Sequence, residues 1–362
     1  MQLAIVFGST ERMDDPRLIQ SIHEFYPKAY IFGCSTAAEI CGTQVIEEGV
    51  TITAIRFEHT QFRTAQVVLD EAREGFAAGE RIAQSLPPAI PNPDGSEDPL
   101  AHVLVLSDGL NVNGSRFVSG AMRHLPPGVT LTGGLAGGGS HVGETLVFRD
   151  GVPARDTIAA VGLYGRRLTV GFGSLGGWDS FGPERLITRS SGNVLYELDG
   201  QPALALYKRY LGDQARGLPG TGLYFPLSIR STPNGNAVVR SFLAVDEATQ
   251  SLTFTADIPG GAYARLMKAN IDRLIDGAAH AAQTSRDAPG TEPDLAILFS
   301  CIGRKLVLKQ RVEEEVDAVR EVLGPRAVMT GFYSHGEISP FAPGQKCELH
   351  NQTMSITTLT ER

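Results

Sequence analysis

GCSTAAEI, residues 33–40, and GFYSHGEI, residues 331–338, share one pattern. Each begins with Gly, carries a hydroxyl in its fourth place (Thr36, Ser334) and ends in Glu-Ile (Glu39-Ile40, Glu337-Ile338). Each follows a short apolar run, KAYIF or RAVMT, and precedes a β-rich run, GVTITAIRF or QTMSITTL. The likeness extends outward. LAIVFGS (3–9), VLVLSDG (103–109) and LAILFSC (295–301) are β-branched runs, each followed by enough chain for a helix. AYIFG (29–33), VTLTGG (129–134) and AVMTG (327–331) come second, then VTITAIRF (50–57), TIAAVGLYG (157–165) and MSITTL (354–359). Strand, helix, strand, turn, strand therefore recurs three times, with room for a crossover helix between the first two strands. Short runs with few polar breaks predict strands buried on both faces.

At 362 residues the chain is long enough for two domains or one large α/β unit. A formal charge of −8 and the lack of a Lys/Arg run argue against nucleic acid, whose phosphates need basic side chains to displace counterions. MQLAIVFGST enters a strand pattern without the basic region of a secretory leader. No apolar stretch is long enough to cross a bilayer, so no membrane partner is expected. Four cysteines without a CxxC pair read as reduced thiols of a cytoplasmic protein. Cys347-x-x-His350 is half a zinc site without a second half, and no metal is expected.

PPAIPNPDGSEDP (87–99) and SRDAPGTEP (285–293) read as linkers ahead of new units. Apolar spacing predicts helices over 201–211 and 262–282, and AVVRSFLAVDEATQSLTFTADI (237–258) between them reads as a hairpin. GSLGGWDSFGP (173–183) reads as a loop around Trp178, the lone tryptophan. The expected architecture is α/β: two related βαββ-type domains with mixed sheets, the second carrying a helix-plus-hairpin insertion.

Thr36-x-x-Glu39 and Ser334-x-x-Glu337 fit a capping box, in which the hydroxyl takes the N3 amide and the Glu returns to the cap. A helix start outside a strand's carboxyl end also attracts an anion, and a Glu beside it can hold an ammonium. An amino acid carries both groups, so the spacing supports a structural and a ligand-binding reading alike. GGLAGGGS (133–140) takes the corresponding place in the second repeat without the hydroxyl or the Glu; its glycine amides can nest an anion. The candidate ligand-binding set is Cys34, Ser35, Thr36, Glu39, Gly133, Gly134, Gly137, Gly138, Tyr333, Ser334, His335, Glu337 and His350. Cys34 and Cys301 end strands, where a thiol with His335 or His350 as base would suit a small-amide hydrolase; buried structural thiols fit the same places.

GCSTAAEI, GGWDSFGPERLI with ELDGQPALALYKRYLG after it, LFSCIGR and the closing GFYSHGEISPF…CELHNQTMSITTL together resemble the FIST family, which pairs an N-terminal FIST domain with a C-terminal one. The resemblance covers nearly the whole chain and places the domains at 1–195 and 196–362. It implies a sensory role rather than an enzyme. FIST domains are regarded as small-ligand input modules, with amino acids as proposed ligands. They occur beside histidine-kinase, cyclic-dinucleotide or chemoreceptor outputs, or alone. The resemblance thus implies a stand-alone sensor of an amino acid or similar polar metabolite, passing its signal to a separate protein such as a histidine kinase or cyclic-dinucleotide enzyme. No cofactor is expected in that reading. Some stand-alone relatives are haem-containing nitric oxide sensors, and haem would need an axial ligand such as His335, His350 or Cys347. His335 stands where the family's turn more usually carries an aromatic.

Overall fold

A computed structural model describes residues 1–69, 75–139, 143–149, 151–232, 235–287 and 292–362. The first repeat runs β1 (Leu3–Gly8), α1 (Thr10–Met13), α2 (Pro16–Phe25), β2 (Tyr30–Ser35), the hairpin β3 (Glu39–Cys41) and β4 (Gln44–Ile46), β5 (Val50–Ile55) and β6 (Gln61–Val68). The second runs α3 (Gly75–Gln84), β7 (Ala89–Pro91), β8 (Glu97–Ser107), α4 (Gly114–His124), β9 (Thr130–Leu135), the hairpin β10 (Val147–Arg149) and β11 (Val152–Ala154), β12 (Thr157–Tyr164) and β13 (Leu168–Leu175). An inserted sheet follows, made of β14 (Asp179–Ser191), β15 (Val194–Leu198), β16 (Gln201–Pro202), α5 (Ala203–Leu211), β17 (Leu227–Arg230), β18 (Ala237–Arg240), β19 (Phe242–Asp246), β20 (Ser251–Phe254) and β21 (Tyr263–Lys268). The third repeat is α6 (Ile271–Asp287), β22 (Leu295–Cys301), α7 (Ile302–Leu308), α8 (Val312–Leu323), β23 (Val328–Ser334), the hairpin β24 (Gly336–Pro340) and β25 (Cys347–His350), and β26 (Met354–Glu361). Local chemistry sets the helix starts. Asp15 accepts from Arg17 N ahead of Pro16, and Asn113 accepts from Arg116 N at the head of α4.

In every repeat the first strand lies parallel to the second and antiparallel to the last. The hairpins do not stay at home. β3 pairs with β23, β10 with β2 and β24 with β9, so each repeat lends its hairpin to the preceding one in cyclic order. Trailing strands move the other way: β6 covers β12 and β13 covers β26. Three interlocked mixed sheets result, related by a pseudo-threefold axis. Gly33, Gly133 and Gly331 occupy equivalent places. A Cβ there would stand 2.0, 1.8 and 2.0 Å from the carbonyl oxygens of Val6, Val105 and Leu298, a space only glycine accepts. The axis is filled by apolar side chains from all three sheets, with Phe332 packed between Phe7 and Phe299. Helix α2 covers the first sheet, α3 and α4 the second, and α6 and α8 the third.

Several local expectations are corrected. Residues 87–99 are no plain linker: β7 pairs antiparallel with the start of β8. Of 285–293, Ser285–Asp287 end α6, and 288–291 lie outside the described residues. The helix expected over 262–282 splits, because YARLMK alternates buried and less buried positions as strand β21 before α6 begins. The helix expected over 201–211 starts at Ala203, after the short β16. The 237–258 hairpin is β19–β20, while β18 leaves it to pair with β17. The insertion is thus an eight-stranded sheet with its own apolar core, larger than a helix and a hairpin. Trp178 stands between two strands rather than in a long loop, buried beside Met267 and Leu274, with Nε1 donating to Gln352 O at 2.8 Å.

Candidate functional site

The three turns meet on the axis. Ala37 N donates to Tyr333 O (3.1 Å), Gly137 N to Ser35 O (2.9 Å) and His335 N to Leu135 O (3.1 Å). These bonds form a closed ring in which each repeat gives to the one before. No helix starts at either hydroxyl-bearing turn, since Thr36 and Ser334 lead into strands β3 and β24. The capping-box reading is therefore corrected, and with it the helix end that was to attract an anion. Each hydroxyl instead donates to the Glu three residues on: Thr36 Oγ1 to Glu39 Oε1 at 2.5 Å, Ser334 Oγ to Glu337 Oε1 at 2.6 Å. Glu39 Oε2 accepts from Gly49 N (3.2 Å), and Glu337 Oε2 from Thr353 N (3.3 Å) and Thr353 Oγ1 (2.9 Å). Burial outweighs these hydrogen bonds and pushes Glu39 up to about 7 and Glu337 up to about 8.

The rest of the candidate set belongs to the same packed hub. Ser35 Oγ donates to Gly137 O and accepts from Leu146 N, both at 2.8 Å. Gly138 O accepts from Thr10 Oγ1 (3.3 Å). Gly133 and Gly134 pair with Ile338 and Glu337 across β9 and β24. In the second repeat, where the hydroxyl and Glu are absent, Asp108 takes over. Its Oδ1 accepts from Leu110 N (2.9 Å) and Asn111 N (2.6 Å), and its Oδ2 from Thr145 Oγ1 (2.8 Å).

Tyr333 OH donates to Glu315 Oε1 (2.7 Å), as does Ser300 Oγ (3.0 Å), and Arg304 Nη2 meets Glu315 Oε2 at 2.7 Å. Arg304 and Glu315 are fully buried, and the guanidinium also donates to Gly176 O (2.6 Å) and Leu274 O (2.7 Å). Nothing in the local pattern marked this pair, because Glu315 ends an ordinary acidic first turn of α8.

The thiols and imidazoles are closed in as well. Cys34 and Cys301 are buried, and desolvation raises both thiols, Cys301 to about 12. Neither makes a hydrogen bond to a histidine among the described residues. His335 is held at Gly109 O (3.4 Å), and burial lowers its pKa. His350 Nε2 lies 2.7 Å from Ser339 O, its ring edge-on to Phe341, and burial lowers it to about 4. Cys347 Sγ donates to Leu131 O at 3.2 Å, and burial raises its pKa so that it keeps its proton. Haem needs an imidazole or thiolate facing an apolar cleft; both imidazoles are held at backbone carbonyls, and Cys347, though at the edge of a groove, keeps its proton.

A groove beside the hub has the chemistry the hub lacks. It lies between α4 and β25, a cavity of about 570 Å³ with Val118, Met122 and Leu349 as apolar lining. Arg123, Lys346, Glu348 and Arg240 supply the charges. Arg240 comes from β18 of the inserted sheet and is only 6% exposed. Its Nη1 donates to Leu349 O (2.8 Å), but its Nε has no hydrogen-bond partner, and it makes no ion pair among the described residues. Burial lowers its pKa to about 10, opposed by Glu348 and Asp257. Ser115 Oγ, in the first turn of α4, is buried in the same groove and also unpartnered. None of the thirteen candidate residues lines this groove. The sequence did carry a signal for it: along AVVR, burial falls on Val238 and Arg240, so an Arg stands in the apolar phase of a strand.

No described helix is long and apolar enough to cross a membrane, and no described group of His, Cys, Asp and Glu is arranged to hold a metal ion. The FIST N domain model matches residues 2–201 and the FIST C domain model residues 203–340. The border between them cuts the inserted sheet between β16 and α5, so the family's two domains are not the folding repeats. Uncharacterized protein Mb0898c of Mycobacterium bovis is 24% identical over 396 residues, spanning 99% of this chain and 90% of its own. Uncharacterized protein Rv0628c of Mycobacterium tuberculosis is 25% identical over 381 residues, spanning 99% and 91%. Uncharacterized protein MJ1623 of Methanocaldococcus jannaschii is 24% identical over 327 residues, spanning 85% of this chain and 61% of its own. FIST domains are associated with sensing in signal transduction, and the chain, matched by both of the family's models nearly end to end, belongs to the FIST family.

Proposed function

We propose that this chain senses an anionic amino acid or similar small carboxylate in the Arg240 groove and signals to a separate output protein, such as a histidine kinase or cyclic-dinucleotide enzyme. The observation that carries this reading is a buried guanidinium whose Nε is unpaired and which makes no contact ion pair among the described residues, Glu348 and Asp257 acting on it only at longer range. Burying a cation is costly unless it is paired, and a ligand carboxylate supplies the missing partner. Arg123 and Lys346 add positive potential, Glu348 offers an acceptor for an ammonium, and Val118 and Met122 receive an aliphatic stem. The groove's walls also belong to both family domains. Helix α4 lies in the FIST N match and Arg240 in the FIST C match. A ligand bridging them biases how the inserted sheet seats on the repeats, which is the differential contact that sensing needs. The turn residues Thr36, Glu39, Ser334 and Glu337 then hold the frame that presents the groove.

Thermal-shift and calorimetric titration with glutamate, aspartate, neutral amino acids and succinate test this. A ligand that binds only the folded chain, at about a thousand times its Kd, adds roughly 4 kcal/mol of stability. Arg240→Met should abolish the response to every ligand. Glu348→Gln should weaken amino acids more than succinate. A panel without a binder, or binding untouched by Arg240→Met, sinks the reading.

A further inference from the structure

Strand β5 lacks a neighbour that both of its counterparts have. β5, β12 and β26 close their repeats in the same way, each antiparallel to its repeat's first strand. The outer edge of β12 is covered by the eight residues of β6 and that of β26 by the eight of β13, antiparallel in both cases. Among the described residues, no strand pairs with the outer edge of β5.

Register tells which groups that edge presents. Tyr30 N donates to Gln2 O and Thr36 N to Gly8 O, so even-numbered residues of β1 face β2 and odd-numbered ones face β5. Ser9 N accordingly donates to Gly49 O. Thr51, Thr53 and Ile55 therefore turn their backbone toward β1, and Val50, Ile52 and Ala54 turn theirs outward. VTITAI has no charge, proline or bulge to discourage pairing, and Ile52 is 43% exposed.

We propose that two copies of the chain pair through β5, antiparallel about a twofold axis at Ile52. With Ile52 opposite its own copy, Val50 comes opposite Ala54, and every outward amide and carbonyl is used, in roughly six hydrogen bonds. The same register brings the Glu48 end of each strand to the Arg56 end of the other. Both side chains are exposed, and neither has an ion pair among the described residues. This charge complementarity selects a second copy over an unrelated strand. Two five-stranded sheets become one continuous sheet, and the edge acquires the antiparallel cover already present on β12 and β26.

The test is the oligomeric state of the full chain by sedimentation from low to high micromolar concentration, with far-UV circular dichroism and melting to verify folding. The expected result is a dimer. Ile52→Lys sets two ammonium groups against each other on the axis and should weaken it at least about a hundredfold. Arg56→Glu and Glu48→Arg should each weaken it by about tenfold, and the double swap should restore it. A wild-type monomer at every concentration overturns the proposal. So does a dimer that survives Ile52→Lys in a folded chain, or a double swap that fails to restore pairing; if Ile52→Lys does not fold, the charge swaps decide.

Discussion

Arg240→Met distinguishes a cation held ready for a ligand from one that supports the fold. In the free chain the guanidinium is buried, gives one hydrogen bond to Leu349 O and leaves Nε unpaired. Its pKa is lowered to about 10, and each pKa unit corresponds to about 1.4 kcal/mol, so holding the cation there costs about 3 kcal/mol. The sign follows from proton binding. The unfolded chain holds the extra proton only above the folded pKa, so the cost is present in full below about pH 10 and fades as pH rises beyond it. Against this stands the lost hydrogen bond, worth about 1.5–3 kcal/mol with a charged donor. Methionine has a similar reach and adapts to irregular space. The ligand-free variant should therefore be as stable as wild type or more stable by up to about 1.5 kcal/mol. Urea denaturation in ligand-free buffer measures this, and the same preparation should show no ligand-induced shift. A loss of more than about 2 kcal/mol would refute the reasoning, because the guanidinium would then be a structural support whose burial is already compensated.

Arg304→Met should do the opposite. It leaves Glu315 buried without its cation and strips donors from Gly176 O and Leu274 O, so denaturation should show a loss of about 3–5 kcal/mol. Glu337 is raised from 4.5 to about 8, so the native state holds more protons between those values, and stability should fall by about 5 kcal/mol as pH rises through that window. Glu337→Gln should flatten that slope in melts taken from pH 4 to 9. Gly137→Ala sets a Cβ 2.6 Å from Ala37 N and 3.1 Å from Tyr333 O, which opens the ring of turn bonds; a loss of about 1–3 kcal/mol is expected in the same assay.

The repeats were legible because their strands are buried on both faces. LAIVFG, VLVLS and LAILFSC are unbroken apolar runs, and that pattern needs no tertiary knowledge. The exchange of hairpins was not. Cys41 pairs with Thr330, and nothing local in EIC says which repeat's edge will receive it. Short segments with ambiguous period failed for a related reason. YARLMK satisfies a helical spacing as well as an alternating one, and only the neighbouring β14 and β17 decide in favour of the strand. At the turns, the sequence identified the right residues for convergence but the wrong partner for each hydroxyl. Thr-x-x-Glu spells a capping box only if a helix follows. Where the pair closes on itself, the chain enters β3 or β24 instead.

That difference explains why the repeated residues and the groove have separate tasks. A position present in all three repeats is tied to closing the pseudo-threefold, and Gly33, Gly133 and Gly331 leave no space there for anything else. The hydroxyl–carboxylate pairs of two repeats are likewise spent on their own turns, and Asp108 substitutes in the repeat that lacks one. A binding site has to arise where the repetition fails. The insertion occurs once, so the place where its β18 reaches α4 and β25 has no equivalent on the other two hairpins. It is there that a charge stands in the buried phase of a strand with its Nε unpaired and no contact ion pair among the described residues. The repeats are tied together by the ring of turn bonds, whereas at this groove the inserted sheet meets them through Arg240, whose Nη1 donates to Leu349 O. Under the proposed function, a ligand carboxylate on Arg240 would act at this contact, with the repeats as the reference.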